Sequence, residues 1–283
     1  MGTLPAGRTV AAEADGFRPD EAQDACLEVC VLASGSKGNA IYIASGGFAI
    51  LVDAGLSGVA LQRRMAARGL DPASLGAIVV THEHSDHING VGVLSRRFKL
   101  PVHMSRRTAA AAAGQLGKMA ELNHFCCGQD FDIGPFRLHP FSTSHDASDP
   151  AGFTISNGRY KIGLATDLGT ATGMVKVHLR DCHLLIVEAN HDPEMLIQGP
   201  YPWPLKQRIK SRLGHLSNPE AMELIEAVCH RRLRHVVLAH LSQTNNTPQM
   251  VIQTLHQKLA HLTSRIEFHV AGQDCGTDMI RLE

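Results

Sequence analysis

The sequence predicts an α/β fold in which two β-sheets pack face to face and helices cover both outer faces. Short apolar runs typical of strands come in two groups, one in each half of the chain, and segments with helical periodicity are interspersed in both groups. Ionisable side chains directly follow several of these runs, and loops at strand ends commonly carry functional residues. The two groups therefore indicate a layered sandwich with its functional residues at strand ends.

The first group of elements starts after residues 1–25, which show no periodicity and are predicted to form a flexible tail. A single domain is expected to span residues 26–283. Turn residues at 34–39 and 45–47 separate the first three strands. Strands are predicted over residues 27–33, 40–44, 48–52, 77–80 and 100–104, and helices over 58–68, 91–98 and 107–121.

The second group begins near residue 131 and contains the remaining strands. Ser217 or Asn218 is placed to cap a helix that runs to about Cys229, with Pro219 in its first turn. Residues 199–204, which contain three prolines, are predicted to belong to a polar linker. Strands are predicted over residues 131–133, 136–140, 152–156, 159–165, 184–188, 236–239 and 266–271, and a last helix over 248–261.

The composition of the 283 residues, with 44% hydrophobic and 19% charged side chains, excludes a disordered chain. Equal numbers of basic and acidic residues, 27 of each, leave no net charge, so a nucleic acid would have to bind a local patch. No apolar run of about 18 residues and no secretory signal occur, which predicts a cytoplasmic protein without a membrane segment. The seven cysteines lack a C-x-x-C pair and are typical of reduced thiols.

Histidine stands out, with 17 residues, and its densest cluster lies at residues 81–87. His82 and His84 are two residues apart and would point the same way from an extended loop, whereas Asp86 and His87 offer a differently directed pair. A loop this short cannot easily give all four side chains to one metal ion. Two metal ions could share them.

Three more residues of ligand type follow apolar runs further along the chain, namely His145, Asp167 and His240. Together with the histidine-rich loop they suffice for two four- or five-coordinate sites that share one carboxylate. Nitrogen and oxygen ligands without a thiolate favour zinc, with manganese, iron or cobalt as alternatives. Two divalent metal ions are therefore the predicted cofactors.

The motif H-x-H-x-D-H at residues 82–87, with Asp53 upstream, belongs to a longer pattern over roughly residues 27–272. Its other segments are A-S-G-S-K-G-N-A at 33–40, V-D-A-G at 52–55, S-H-D-A at 144–147, T-D-L-G at 166–169, E-A-N-H-D at 188–192, G-H-L-S-N at 214–218 and A-H-L-S at 239–242. This pattern resembles the metallo-β-lactamase superfamily, and more closely its YycJ/WalJ-like branch. The resemblance implies an αββα sandwich of two mixed sheets with a dinuclear site at one edge. It also implies nuclease activity, and 5′-to-3′ exonuclease action on DNA is ascribed to some members.

The same resemblance implies a role for each matched residue. One metal ion would be held by three histidines, the other by a mixed set, and one aspartate would bridge them: His82, His84 and His145; Asp86, His87 and His240; and Asp167. Asp53, at the end of a predicted strand, would orient the histidine-rich loop.

A second resemblance is to ribonuclease Z, where a H-E-A-T stretch and a later H-S-T stretch flank the chemistry. V-E-A-N at 187–190 and G-H-L-S at 214–217 come here in the same order, with valine in place of the first histidine. This makes His215 the candidate general acid and Glu188 the group that orients it, and Asp86 completes the candidate catalytic residues. The alternative is that His215 caps or packs against a helix and that Glu188 is a structural acceptor.

Basic residues close to His215 predict contacts with substrate phosphates. Four cations precede it in the run K-Q-R-I-K-S-R, and a fifth lies in a glycine-containing turn without P-loop spacing: Lys206, Arg208, Lys210, Arg212 and Lys37. The alternatives are a solvated helix face for the run and a plain hairpin turn around Lys37. Tyr201 and Trp203 are candidates for stacking on bases or for core packing.

These observations predict a dinuclear metal-dependent phosphodiester hydrolase, a nuclease acting on DNA or RNA. The first alternative is a small-molecule hydrolase on the same fold, of the cyclic phosphodiesterase, thioesterase or lactamase type. A redox diiron enzyme is disfavoured because that relative has glutamate at the position of His84. A catalytically silent binder is disfavoured by the complete ligand set. The sequence leaves open DNA or RNA, the direction of cleavage, the native metal and the oligomeric state.

Overall fold

The computed structural model describes residues 26–283, and the predicted tail over 1–25 lies outside the described residues. One seven-stranded sheet takes its strands from the first half of the chain and from the end of the chain. These strands are β1 (Leu27–Ala33), β2 (Ala40–Ser45), β3 (Phe48–Val52), β4 (Leu75–Val79), β5 (Pro101–Ser105), β6 (Glu121–Phe125) and β14 (Ile280–Leu282). Their order is β14-β1-β2-β3-β4-β5-β6, antiparallel from β14 to β3 and parallel from β3 to β6.

The second seven-stranded sheet has the same arrangement of pairings. Its strands are β7 (Phe131–Ile133), β8 (Phe136–Ser142), β9 (Ala151–Ser156), β10 (Lys161–Ala165), β11 (Leu184–Glu188), β12 (His235–Ala239) and β13 (Glu267–Val270). Their order is β13-β12-β11-β10-β9-β8-β7, antiparallel from β7 to β10 and parallel from β10 to β13.

Helices cover the outer face of each sheet. The helices of the first half are α1 (Gly58–Ala66), α2 (Ser85–Ile88), α3 (Val91–Phe98) and α4 (Arg106–Leu116). Those of the second half are α5 (Gly173–Leu179), α6 (Pro193–Gln198), α7 (Trp203–Ile209), α8 (Asn218–Val228) and α9 (Pro248–Leu259), with short 3₁₀ turns at Pro72–Ser74 and Ala260–Leu262. No helix within residues 26–283 has the length and apolar character needed to cross a bilayer.

The alternation of side chains along each strand builds three apolar layers. Val29 and Val31 of β1 face the second sheet, where they join a core that includes Phe153 and Ile186. Leu32, on the opposite face of β1, packs in the layer beneath α1, α3 and α4. A third layer lies between the second sheet and α5, α8 and α9. The predicted sandwich of two sheets with helices outside is therefore confirmed.

Three local predictions were wrong. The helix predicted over 107–121 ends at Leu116, because Gly117 turns the chain with a φ of 63°, and Glu121–Phe125 is the strand β6. The predicted linker around residues 199–204 contains the start of α7 and follows α6. Prolines occupy the first turn of both helices, where a missing N–H costs no hydrogen bond. The short final strand β14 was not predicted.

Candidate metal centre

The candidate site lies where parallel strands of both sheets end. Asp53 follows β3, residues 81–87 follow β4, Asp167 follows β10 and His240 follows β12. The carboxyl ends of parallel strands meet at one edge of a sheet, and the face-to-face packing places the two edges side by side. The same end of the sandwich therefore receives the ionisable residues of both sheets.

Three of these residues have left-handed backbone conformations. Asp53, Asp167 and His240 have φ values of 59°, 54° and 56°. Such values are uncommon for residues other than glycine and cost of the order of 1–3 kcal/mol each. Each of these residues turns the chain sharply just after a strand, so its side chain points back across the strand ends.

A first group of three imidazoles forms from His82, His84 and His145. His84 Nδ1 lies 3.1 Å from His82 Nε2 and 3.3 Å from His145 Nε2. Nδ1 of His145 lies 3.1 Å from the carbonyl oxygen of Gly214, which can only accept, so this nitrogen donates and Nε2 is left with a lone pair. The group therefore presents three nitrogen atoms to one point.

A second group contains Asp86, His87 and His240, whose ligand atoms lie within 4.8 Å of one another. Asp86 Oδ2 is 3.6 Å from His87 Nε2 and 3.8 Å from His240 Nε2. Asp53 fixes His87 from behind, since its Oδ2 lies 2.8 Å from His87 Nδ1 and its two oxygens accept hydrogen bonds from Thr81. Asp53 thus has the geometry expected of a residue that orients the loop.

Asp167 lies between the two groups. Its Oδ2 is 3.3 Å from Nε2 of His87, and its Oδ1 is 3.6 Å from Nε2 of His240. The same Oδ1 is 3.7 Å from Nε2 of His145, which belongs to the first group. One carboxylate is therefore within reach of ligand nitrogens from both groups.

Glu188 is fully buried and accepts four hydrogen bonds. Oε1 lies 2.8 Å from Nδ1 of His215 and 2.7 Å from Nδ1 of His240, and Oε2 accepts from the backbone N–H groups of Leu168 and Leu216. Four bonds occupy the lone pairs of a carboxylate. Burial would raise the pKa of Glu188, but His215 and His240 hold it well below its usual range. Glu188 is therefore an ionised positioning group without a free lone pair for a metal ion.

The residues present fit divalent metal ions. Asp167 Oδ2 and His240 Nε2 are buried and have no hydrogen-bond partner within residues 26–283. Burial and the neighbouring imidazoles hold the pKa of His82 well below its usual value, which keeps a lone pair on that ring. Burial also disfavours a charged His87, yet Asp167 and Asp53 raise its pKa to about 9. The carboxylates thus attract positive charge into a cluster of buried side chains, where a metal ion would satisfy the orphaned atoms.

The basic residues predicted near His215 divide into two kinds. Lys206 is buried and its ammonium group donates to the carbonyl oxygen of Ile197 at 2.6 Å, so it is not available to a substrate phosphate. Arg208 donates to Asp146 at 2.6 Å. Arg208 is exposed despite this contact, and the remaining cations of the set are exposed too, namely Lys37, Lys210 and Arg212.

A cleft of about 180 Å³ opens beside His215. Its walls include Asp146, Tyr201 and Arg208. The side chain of Trp203 is exposed, which excludes the core-packing alternative for this residue. The candidate proton donor therefore lines a small recess and lies beside His145 and His240 of the candidate metal centre.

Several residues that contact the candidate metal ligands were not predicted from the sequence. Ser34 accepts a hydrogen bond from the N–H of His240 at 2.7 Å, and Asn39 Nδ2 lies 3.0 Å from His87 Nε2. Gly55 lies so close to the carbonyl oxygen of Asp86 that a Cβ would approach it to 1.6 Å. Ser34, Asn39 and Gly55 all lie in segments that carry the family resemblance, which was the only available signal.

Comparison with known proteins gives consistent results. A family model described as "Beta-lactamase superfamily domain" matches residues 49–241. The chain is 36% identical over 249 residues to "Exodeoxyribonuclease YycJ" of Bacillus anthracis, covering 86% of this chain and 94% of that protein. It is 37% identical over 234 residues to "Exodeoxyribonuclease WalJ" of Streptococcus pneumoniae, covering 81% and 87%. The structure of the metallo-β-lactamase fold protein YhfI from Bacillus subtilis aligns with a TM-score of 0.72 at 17% identity, covering 92% of this chain and all of that one.

Proposed function

The chain belongs to the β-lactamase superfamily, and we propose that it is a metal-dependent exodeoxyribonuclease. The observation that carries this proposal is the position of Asp167, within 3.3 to 3.7 Å of nitrogens from two separate ligand groups. Two metal ions that share a carboxylate are typical of enzymes that cleave phosphodiesters. The similarity to two exodeoxyribonucleases over more than four fifths of the chain supports DNA as the substrate.

The metal ions would be held by seven side chains. His82, His84 and His145 would hold one ion, Asp86, His87 and His240 the other, and Asp167 would bridge. Zinc is the proposed metal because the donors are nitrogen and oxygen atoms, with manganese, iron or cobalt as alternatives. When bound, such ions act as Lewis acids toward water and phosphate oxygens.

His215 is proposed to protonate the leaving oxygen. Its Nδ1 is held by Glu188 at 2.8 Å, which leaves Nε2 as the nitrogen that can face a substrate in the cleft. A carboxylate behind an imidazole fixes the tautomer and favours the protonated ring. His215 therefore has the orientation required of a general acid.

The DNA strand is proposed to approach over the surface beside this cleft. Lys210 and Arg212 are exposed there, and Arg208 lines the cleft itself. The exposed indole of Trp203 offers a flat face on which a base can stack. Attack at a strand end is proposed from the similarity to two exodeoxyribonucleases, and the 5′-to-3′ direction is proposed from the family resemblance.

The proposal can be tested with metal-loaded protein and DNA labelled at either end. We expect short products from the 5′ end of DNA, slower cleavage of RNA, and no cleavage by a His84→Ala variant. Hydrolysis of a small phosphodiester, thioester or β-lactam with DNA left intact would instead identify a small-molecule metallohydrolase.

A further inference from the structure

A second cluster of potential metal ligands lies at the far end of β12. His235 is the first residue of this strand and His240 follows the last, so that a rise of ~3.3 Å per residue puts the two about 16 Å apart. In the parallel register between β12 and β13, His235 pairs with Glu267 and Val237 pairs with His269. Val237 belongs to the core between the sheets. Since side chains alternate along a strand, all of these residues face the inside of the sandwich.

The three polar side chains converge on one point. His235 Nδ1 lies 3.3 Å from His269 Nε2 and 3.5 Å from Glu267 Oε2. The second oxygen, Oε1 of Glu267, lies 3.7 Å from His269 Nε2. In a tetrahedral zinc site with bonds of ~2.0–2.1 Å, neighbouring donor atoms are about 3.4 Å apart. The spacing is therefore close to that of a tetrahedral site, although the side chains come from segments 32 positions apart in the sequence.

The surroundings favour a cation in this place. The cluster lines a cleft of about 480 Å³ between the edge strands β13 and β14, together with Asp278 and Arg281. Arg281 is held by Glu28 at 2.8 Å, so its charge is compensated, while Asp278 adds a second carboxylate to the cleft wall. Arg234 is the basic side chain whose charge acts on His235. Burial lowers the pKa of both imidazoles, which leaves them neutral and able to coordinate.

We propose that His235, Glu267 and His269 form a peripheral site for a zinc-like divalent cation. Two histidines and a glutamate are an established zinc donor set, and water or Asp278 would complete the coordination. The cation would join β13, which is the last strand of its sheet, to β12. It would thus hold an edge strand in place, independently of the centre at the other end of β12.

The test is a count of metal equivalents. Chelator-stripped protein is titrated with Zn²⁺ against a chromogenic chelator, and with Co²⁺ followed by visible absorption. We expect His269→Ala to bind one equivalent fewer than the unsubstituted chain and to keep its DNA hydrolysis. His256→Ala, a substitution of an exposed histidine on α9, is the matched control and should bind the full number.

Glu267→Gln provides a second variant, since its side chain is 66% exposed and the substitution preserves its shape. We expect a weaker affinity for the last equivalent and a smaller Co²⁺ absorption. In a His84→Ala background, His269→Ala should still remove one equivalent, which separates this site from the proposed metal centre. Equal counts in the unsubstituted chain and in folded His269→Ala would overturn the proposal. If His269→Ala proved unfolded, an unchanged affinity for the last equivalent and an unchanged Co²⁺ absorption in Glu267→Gln would overturn it.

Discussion

Oε1 of Glu188 lies 2.7 Å from Nδ1 of His240, and the same oxygen lies 2.8 Å from Nδ1 of His215. One buried atom thus orients a residue that we propose as a metal ligand and a residue that we propose as a proton donor. The two functions share a single support, and a change at Glu188 should affect both.

We therefore expect Glu188→Gln to weaken metal binding and slow DNA hydrolysis together. Glutamine offers one oxygen in place of two, so it cannot accept from two imidazoles and two backbone N–H groups. Loss of a partner behind a metal-bound histidine typically costs 10- to 100-fold in affinity. Zinc titration and single-turnover rates measure the two effects, with Glu223→Gln on the surface as the control. A slower rate at unchanged zinc affinity would mean that Glu188 acts only through His215.

His215→Ala should slow the cleavage of DNA by about 10²–10⁴-fold, because the departing alkoxide needs a proton. A nitrophenyl phosphodiester, whose leaving group needs none, should be affected far less. Metal content should stay unchanged, since His215 is not among the proposed ligands. Loss of metal would make His215 a ligand and reopen the assignment of His145 or His240. Equal slowing of both substrates with metal intact would assign His215 to substrate positioning.

His84→Ala should release metal from the proposed centre and abolish activity, because His84 Nδ1 contacts both other imidazoles of its group. Elemental analysis is best done in a His269→Ala background, so that the peripheral site does not add to the count. We expect about two ions per chain before the His84 substitution and fewer after it. An active enzyme without metal would contradict the dinuclear assignment.

Substitutions of the cations beside the cleft should affect either DNA binding or the stability of the fold. Replacing Lys210 and Arg212 with glutamine should weaken DNA binding and lower the slope of log affinity against log salt by ~0.7 per lost contact on a single strand. Hydrolysis of a small phosphodiester should barely change. Lys206→Met should instead lower the thermal midpoint of unfolding and leave the salt slope unaltered, because the ammonium group of Lys206 donates a hydrogen bond to the carbonyl oxygen of Ile197. A reduced slope for Lys206→Met would place that lysine on the DNA path.

The stability of the fold should fall in mild acid through His191. Burial lowers the pKa of this imidazole to about 4, below its ordinary value of 6.5. The stabilisation is therefore complete above pH 6.5 and is lost as the pH falls toward 4, where the unfolded chain takes up a proton that the folded chain resists. We expect ~2 kcal/mol less stability from this group at pH 5 than at pH 7. Urea unfolding of His191→Gln should show a correspondingly smaller difference, and an identical pH dependence would refute the assignment.

The sequence predicted the layered fold, and it identified residues that the structure brings together at the candidate centre, because both are marked locally. Each ligand-type residue follows an apolar run, and the period of those runs identifies strands. The sequence alone could not predict that Glu188 contacts both His215 and His240, because the contact with His240 depends on the parallel pairing of β11 with β12. In that register Glu188 lies beside Ala239, and so next to His240. The sequence suggested only the link between Glu188 and His215.

The cluster of His235, Glu267 and His269 could not be predicted from the sequence for the same reason. His235 and Glu267 belong to strands that are separated by α9 and a short 3₁₀ turn, and no local motif connects them. Only the register of β12 against β13 places them together. Similarly, the prolines near residue 200 predict a linker, whereas Pro204 lies in the first turn of α7, where a proline is compatible with a helix.

The left-handed backbone of Asp53, Asp167 and His240 implies a conflict between folding and function in this chain. Glycine would relax the backbone at each position, yet it would remove a proposed metal ligand or the residue that supports one. Selection for thermostability alone would therefore favour substitutions at these three positions, and each substitution would damage the centre. An engineered, more robust version of this protein should be sought by substitutions elsewhere, with these three positions held fixed.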